Sequence, residues 1–360
     1  MKGYAIMPEA PVSPSAPAPG AGDTCDVLIV GGGIAGLSAA IYATRERLCT
    51  RILERQIPGG QILTTARVEN YPGFPEPIGG MELSDRLTEQ ATRFGAEILT
   101  QAPVTRIEPR PDTGCIDAYV GDGRHRGRAM ILAVGSEYRR LDVPGEKRLT
   151  GYGVSYCGTC DAPFYRGKHV VVVGGGNTAV DEGLHLLKFA GRLTYVVDGD
   201  RFTAAQIGVD ELAAQADRVT THFSALVTEV LGDRKVEAVR IRSAATRQEQ
   251  VVPCDGVFVF IGLRPLTEFL RGVVDLDEQR FIRTHACTLQ TSVPGIWAAG
   301  DVRSGALKQA ATAAGDGVVA ALMVKEYLKD RTKAPPPQLR TAAGGCATSG
   351  TPAPGRARRA

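Results

Sequence analysis

Two cysteines stand two residues apart in the decapeptide SYCGTCDAPF, residues 155–164, and an aspartate follows the second at once. Thiols at this spacing have three ordinary uses: half of a zinc site, a structural disulfide, or a dithiol that exchanges electrons with something else. Zinc normally takes four ligands, supplied by a second CxxC or by a histidine pair at fitting spacing. Neither the five histidines nor the cysteines at 25, 49, 115, 254, 287 and 346 provide them, so no metal site is expected. Eight cysteines in 360 residues also fall far below the density of a disulfide-stapled secreted scaffold. Cys157 and Cys160 form the one close pair, and its use depends on what the chain places beside it.

The elements that position this pair follow from a local pattern that occurs twice, DVLIVGGGIAGLSAAIYA at 26–43 and HVVVVGGGNTAVDEGLHL at 169–186. Each opens with a β-branched apolar run, passes through three glycines and continues into small and apolar residues at helical spacing, which reads as strand, tight turn and helix. Gly31, Gly33 and Gly36 satisfy GxGxxG. The first permits the turn, the second lets a pyrophosphate approach the backbone, and the third lets helix pack on strand. The next run, TRILE, ends in Glu54, 23 residues after Gly31, where a carboxylate accepts the ribose hydroxyls of an adenosine. In the second unit Gly174, Gly176 and Ala179 give GxGxxA, RLTYVVD, KVEAVRIRS and DGVFVFIG read as further strands, and the long Ala-rich stretch from Lys308 to about Tyr327 reads as a helix.

Two mononucleotide-binding units predict an α/β fold with two Rossmann-like, three-layer ββα dinucleotide-binding domains, the second inserted into the first. The expected division is 25–141 with 266–330 for the first domain and 142–265 for the second, which carries the CxxC. Residues 1–24 and 331–360, rich in Pro, Gly, Ala, Ser and Thr without apolar periodicity, are expected to be disordered extensions. The balance of 42 basic and 39 acidic residues gives a formal charge of +3, partly from the tail PGRARRA, and implies no nucleic-acid partner. No apolar run is long enough to cross a bilayer and no secretory signal opens the chain, so a cytoplasmic location is the default expectation.

Three later segments decide which dinucleotide the first turn holds. PGGQILTTARVENYPGF (58–74), ILAVGSEYRRLDVPGE (131–146) and TSVPGIWAAGDVRSGALKQAATAAG (291–315), together with the CxxC, resemble the low-molecular-weight thioredoxin reductases, a branch of the two-dinucleotide-binding flavoproteins. The resemblance covers essentially all of 25–330. It implies FAD in the first domain, with Gly60, Gln61 and Asn70 near the isoalloxazine and ribityl chain and Gly135 among the cofactor-binding residues. It implies that Asp301 holds ribityl or pyrophosphate oxygens, and that Gln309 and Ala310 meet the flavin at a helix N-terminus whose dipole favours negative charge on a reduced ring. A CxxC beside flavin is a redox pair rather than a structural bridge. By position Cys160 would approach the flavin, Cys157 would attack an external disulfide such as that of thioredoxin, and Asp161 would be the general acid/base. A helix N-terminus near Cys160 is expected to favour its thiolate, and Ala162 and Pro163 replace the family's glycine after the aspartate. The family further implies a homodimer, and a rotation of the second domain through linkers near 140–145 and 262–268.

The chain departs from this family where the electron donor binds. The family holds NADPH through a His-Arg-Arg cluster and a further Arg after the second glycine turn; here Val197, Asp198 and Gly199 occupy the cluster and Thr203 the later position. Asp198 lies 24 residues after Gly174, at a strand end, where a carboxylate bonds a ribose 2′-OH and repels a 2′-phosphate. NADPH, NADH and no nicotinamide all remain open at this point. Relatives of these reductases that draw on ferredoxin, or that run in reverse as oxygen-dependent oxidases of small dithiols, also lack the arginines.

Overall fold

A computed structural model describes residues 24–65 and 67–329. The expected extensions, with Cys346, fall outside the described residues, except that Thr24 already belongs to the first strand, Thr24–Val30. Val27, Leu28 and Ile29 of that strand are fully buried, as expected for a strand covered on both faces.

Five parallel strands form the first sheet in the order Glu97–Leu99, Thr50–Leu53, Thr24–Val30, the second half of Gly123–Leu132, and Ile296–Ala298. The first half of Gly123–Leu132 turns away from that plane and pairs antiparallel with Cys115–Val120, which pairs with Arg106–Arg110. This meander covers one face of the sheet. The other face carries helices Ile34–Arg45, Gly80–Arg93 and Ala310–Lys329. Two apolar cores follow, one on each face. Helix Ala310–Lys329 packs so closely on Ile34–Arg45 that a Cβ at Gly317 would lie 2.2 Å from the Ala35 carbonyl oxygen. The C-terminal segment is thereby bound to the first glycine unit.

The second sheet repeats the plan, with parallel strands in the order Val219–His222, Arg192–Val196, His169–Val173, Gly256–Val259 and Val154–Ser155. Its antiparallel meander is Ala225–Leu231, Ala238–Ser243 and Glu249–Pro253. All of it lies in sequence between two neighbouring strands of the first sheet. The chain crosses between the sheets through Ser136–Tyr138 and Leu263–Pro265, which pair antiparallel as a two-stranded connection.

Two local expectations need correction. The helix anticipated from Lys308 begins at Ala310, because Lys308 adopts φ 58° and turns the chain before the first helical residue. The helical turn anticipated near Cys160 begins at Gly158 and places Cys157 at its N-cap. It is one turn long: Ala162–Tyr165 tightens to 3₁₀ geometry around Pro163, which has no N–H to continue the ladder.

Candidate active site

The first glycine turn meets the three demands that GxGxxG makes. Gly31 has φ 104°, and a Cβ there would lie 2.4 Å from the Ala133 carbonyl oxygen. Gly36 sits where a Cβ would be 2.0 Å from the Gly31 carbonyl oxygen, which sets how closely helix Ile34–Arg45 meets its strand. Gly33 caps that helix without a side-chain bond, and a Cβ on it would meet only the Gly59 carbonyl oxygen, at 3.7 Å. That free space at a helix N-terminus is a cradle for a pyrophosphate. Glu54 is buried beside it; its carboxylate accepts from the Gly32 N–H at 2.7 Å and the Gln56 N–H at 2.9 Å. Two neutral donors leave carboxylate lone pairs for hydroxyl groups in the cavity that Glu54 lines.

Around the turn, Gly60 begins a short 3₁₀ segment, Gly60–Thr64, and the Gln61 amide donates to the Ser136 carbonyl. The Ser136 hydroxyl, on the cavity wall next to Gly135, is buried and has no hydrogen-bond partner among the described residues. Asn70 donates to Gln309 Oε1 at 3.2 Å, while Gln309 Nε2 lies 3.9 Å from Cys157 Sγ. Gln309 therefore spans from the first domain's loop to the disulfide, just ahead of Ala310 at the helix start. Asp301 is half-buried, and its carboxyl is pushed up from the ordinary range by desolvation, with Lys308 opposing the rise. Lys308 Nζ donates to the Asp301 carbonyl at 2.5 Å and lies 4.1 Å above the Phe281 ring. Burial lowers the Lys308 ammonium to about 8. Sequence reasoning passed over Lys308 and Ser136; an ammonium one residue before Gln309 was the available signal for the first, and nothing local marks the second.

Cys157 and Cys160 form a disulfide with Sγ–Sγ 2.16 Å, and the Cys160 N–H points at Cys157 Sγ at 3.2 Å. The pair is half-buried at the cavity wall. Asp161 follows; desolvation raises its pKa, partly offset by a hydrogen bond from Ser155. Its side chain makes no capping bond to the 3₁₀ turn that follows. A carboxyl whose protonated form is favoured by burial can act as the acid that protonates a leaving thiolate. Two aromatic contacts flank the pair: Tyr156, directly before Cys157, stacks on Tyr138 of the connecting strand with centroids 5.3 Å apart, and Arg67 lies 5.1 Å above the Phe164 ring.

In the second glycine turn Gly174 has φ 127°, and a Cβ there would lie 2.4 Å from the Phe260 carbonyl oxygen. Gly176 caps helix Asn177–Leu186, and a Cβ on it would have only Thr203 Oγ1 nearby, at 3.9 Å. The loop after strand Arg192–Val196 folds back over this turn. Thr203 N–H donates to the Gly175 carbonyl at 2.8 Å and Ala205 N–H to Asn177 Oδ1 at 2.7 Å. Phe202 anchors the loop edge-on between Tyr195 and Phe223. Asp198 is exposed at the strand end and lines the cavity.

One cavity of about 1920 Å³ collects nearly all of these groups. Gly31, Gly33, Glu54, Gly60, Gln61, Asn70, Gly135, Asp301, Gln309 and Ala310 line it from one side, and Cys157, Cys160, Asp161, Gly174 and Asp198 from the other. Gly36 and Gly176 are not on its wall, the first because it is spent on helix packing. The pyridine nucleotide-disulphide oxidoreductase family profile matches residues 25–317. The chain belongs to this family. Among its relatives, thioredoxin reductase from Mycolicibacterium smegmatis is 41% identical over 307 residues, covering 85% of this chain and 97% of that one. The solved thioredoxin reductase of Streptococcus pyogenes superposes with TM-score 0.81 at 38% identity, over 86% of this chain and 99% of that one. That of Giardia duodenalis gives 0.80 at 32%, over 86% and 100%. The protein is thus an FAD-dependent disulfide oxidoreductase with two Rossmann-like domains, and the family implies a pyridine nucleotide as well. The cradle at Gly33, the half-used Glu54 carboxylate and the unpartnered Ser136 hydroxyl fit FAD.

Proposed function

We propose that this oxidoreductase reduces the disulfide of a thioredoxin-like protein, drawing its electrons from a pyridine nucleotide, with NADH preferred over NADPH. The observation that carries the reading is the Cys157–Cys160 disulfide opening onto the cavity shared with the first glycine turn. Bound FAD supplies the two-electron carrier between nucleotide and sulfur. When the electron pair reaches the disulfide its S–S bond breaks, and Asp161 delivers a proton to one sulfur. The Cys157 thiolate then attacks the partner's disulfide, forming a mixed S–S bond while the partner's other sulfur leaves and takes up a proton. Cys160 attacks Cys157 in turn, which restores the internal disulfide and frees the partner as a dithiol. One nucleotide hydride and one proton thus become two thiols.

The donor preference rests on Asp198. It stands at the strand end with no cation at the positions flanking it, Val197 and Gly199, and Val197 is itself buried against Gly175. A carboxylate there bonds a free 2′-hydroxyl and repels a 2′-phosphate. Anaerobic titration tests the whole reading: NADH should bleach the flavin at lower concentration than NADPH and then support stoichiometric reduction of thioredoxin. Bleaching by reduced ferredoxin alone, or by a small dithiol with peroxide formed on re-aeration, would sink it.

A further inference from the structure

Helix Asn177–Leu186, which begins at the second glycine turn, sends one carboxylate into the CxxC turn. Glu182 Oε2 accepts from the Thr159 N–H at 2.8 Å, and the Thr159 hydroxyl lies 3.3 and 3.4 Å from the two carboxylate oxygens. Gly158 makes room for it: a Cβ there would lie 2.3 Å from Glu182 Oε2. The one-turn helix Gly158–Asp161 therefore has its early N–H groups divided between a carboxylate and a disulfide sulfur, Thr159 N–H going to Glu182 and Cys160 N–H to Cys157. In a bare CxxC turn both would favour a thiolate.

We propose that Glu182 is a positioning residue that holds the CxxC turn and, through its charge, keeps the Cys157 thiol less acidic than the turn alone would make it. A thiol with pKa nearer to ambient pH is a stronger nucleophile once ionised, and a less stabilised thiolate makes the dithiol a stronger reductant. Glu182 also ties this turn to the helix that starts at Gly176, so the redox pair moves as one body with the second glycine turn. The inference rests on Cys157 being the exchanging sulfur and is independent of the electron donor. Other ionisable groups on the elements packed around the turn are Asp161 on the turn itself, Tyr138 on the connecting strand, Asp301 and Lys308 across the cavity, and Asp181 and His185 on the helix of Glu182.

The test is the pH profile of Cys157 alkylation by iodoacetamide in dithiothreitol-reduced, FAD-loaded protein, resolved by peptide mass spectrometry because Cys49 and Cys287 are also exposed. Glu182→Gln keeps an acceptor for Thr159 and removes only the charge; its Cys157 pKa should fall by about half to one unit, and because the less basic thiolate is also a weaker nucleophile, the alkylation rate well below that pKa should rise about twofold to fourfold. In glutathione redox buffers above the thiol pKa the same variant should lie further toward the dithiol than wild type. Glu182→Ala should show the same direction, with a lower melting temperature from the lost tether. A Glu182→Gln profile superimposed on wild type overturns the proposal, and needs neither nucleotide nor thioredoxin, so it stands apart from any failure of the functional reading.

Discussion

Gly33 and Gly36 lie three residues apart in one motif, and the structure assigns them opposite failure modes on conversion to alanine. At Gly36 a methyl would sit 2.0 Å from the Gly31 carbonyl oxygen, where ordinary contact begins at 3.4 Å, a shortfall of 1.4 Å against backbone. Backbone does not swing aside as a side-chain tip does, so the helix start must shift by a comparable distance, a strain of about 1–3 kcal/mol. That shift also spoils N–H···O distances to a pyrophosphate, which tolerate only a few tenths of an ångström. Gly33 has φ −73° and ψ −175°, which any residue adopts, and meets nothing closer than 3.7 Å. Alanine there should leave the apoprotein unharmed or stabilise it by about 0.4–1 kcal/mol through the unfolded chain, yet fill the cradle and weaken FAD binding. Denaturant melts of both apoproteins and FAD affinity by fluorescence quenching read the two effects separately. Gly36→Ala should lose both stability and FAD, Gly33→Ala only FAD. If Gly33→Ala binds FAD like wild type, the cradle does not hold the pyrophosphate and the site is misassigned.

Cys160→Ser should retain FAD, lose disulfide turnover and trap a mixed disulfide between Cys157 and thioredoxin, visible on a non-reducing gel; unimpaired turnover refutes the assigned roles. Asp161 carries a raised pKa, so the native state favours its protonated form. Its cost to stability is absent below the ordinary carboxyl range and grows as pH rises through that range to the raised value. Asp161→Asn should therefore melt higher than wild type at neutral pH, with the gap closing in acid, while turnover falls; a gap that widens in acid contradicts the sign. Asp198→Ser should cost NADH about tenfold in kcat/KM, the worth of one charged hydrogen bond, and leave NADPH equal or better. An unchanged NADH-to-NADPH ratio removes Asp198 from the nucleotide site.

What was legible in the sequence were features that a single residue type enforces. Only glycine fits at Gly31 and Gly174, so the two turns announce themselves, and buried parallel strands read as VLIV and VVVV runs. Less legible were features that long-range pairing creates. Strand Arg106–Arg110 contains a proline and three charged residues and is a strand only because Cys115–Val120 pairs with it, through the buried Asp117 bound by Arg110 and Arg126. Lys308 near Asp301 and Glu182 near Thr159 join residues 7 and 23 apart across turns whose shape no local pattern states. The boundaries of the C-terminal helix were missed by two residues because Lys308 takes a left-handed conformation that its residue type does not advertise.

Cys157, the exchanging sulfur, is half-buried at the same cavity wall as Cys160, so the setting that suits electron transfer obstructs the approach of a partner's disulfide. Among the described residues, the contacts that hold the CxxC segment against the first domain include the Tyr138–Tyr156 stack, Arg67 on Phe164, and Gln309 at 3.9 Å from Cys157. An aromatic pair contributes about 0.5–1.5 kcal/mol and a cation on a ring about 0.5–1 at an exposed site. Their sum is small beside the burial that holds each sheet together, for the two sheets each keep an apolar core of their own. For the domain rotation that the family resemblance implies, we propose that the molecule parts between the CxxC segment and the first domain, with the paired strands Ser136–Tyr138 and Leu263–Pro265 as the place where the chain bends without breaking either core. Glu182 lies on the far side of that division with Cys157, so its charge accompanies the thiol in both settings, whereas Gln309 is left behind with the first domain. The influence of Glu182 on Cys157 should accordingly be felt in the exchange step as well as in reduction, and that of Gln309 in reduction alone.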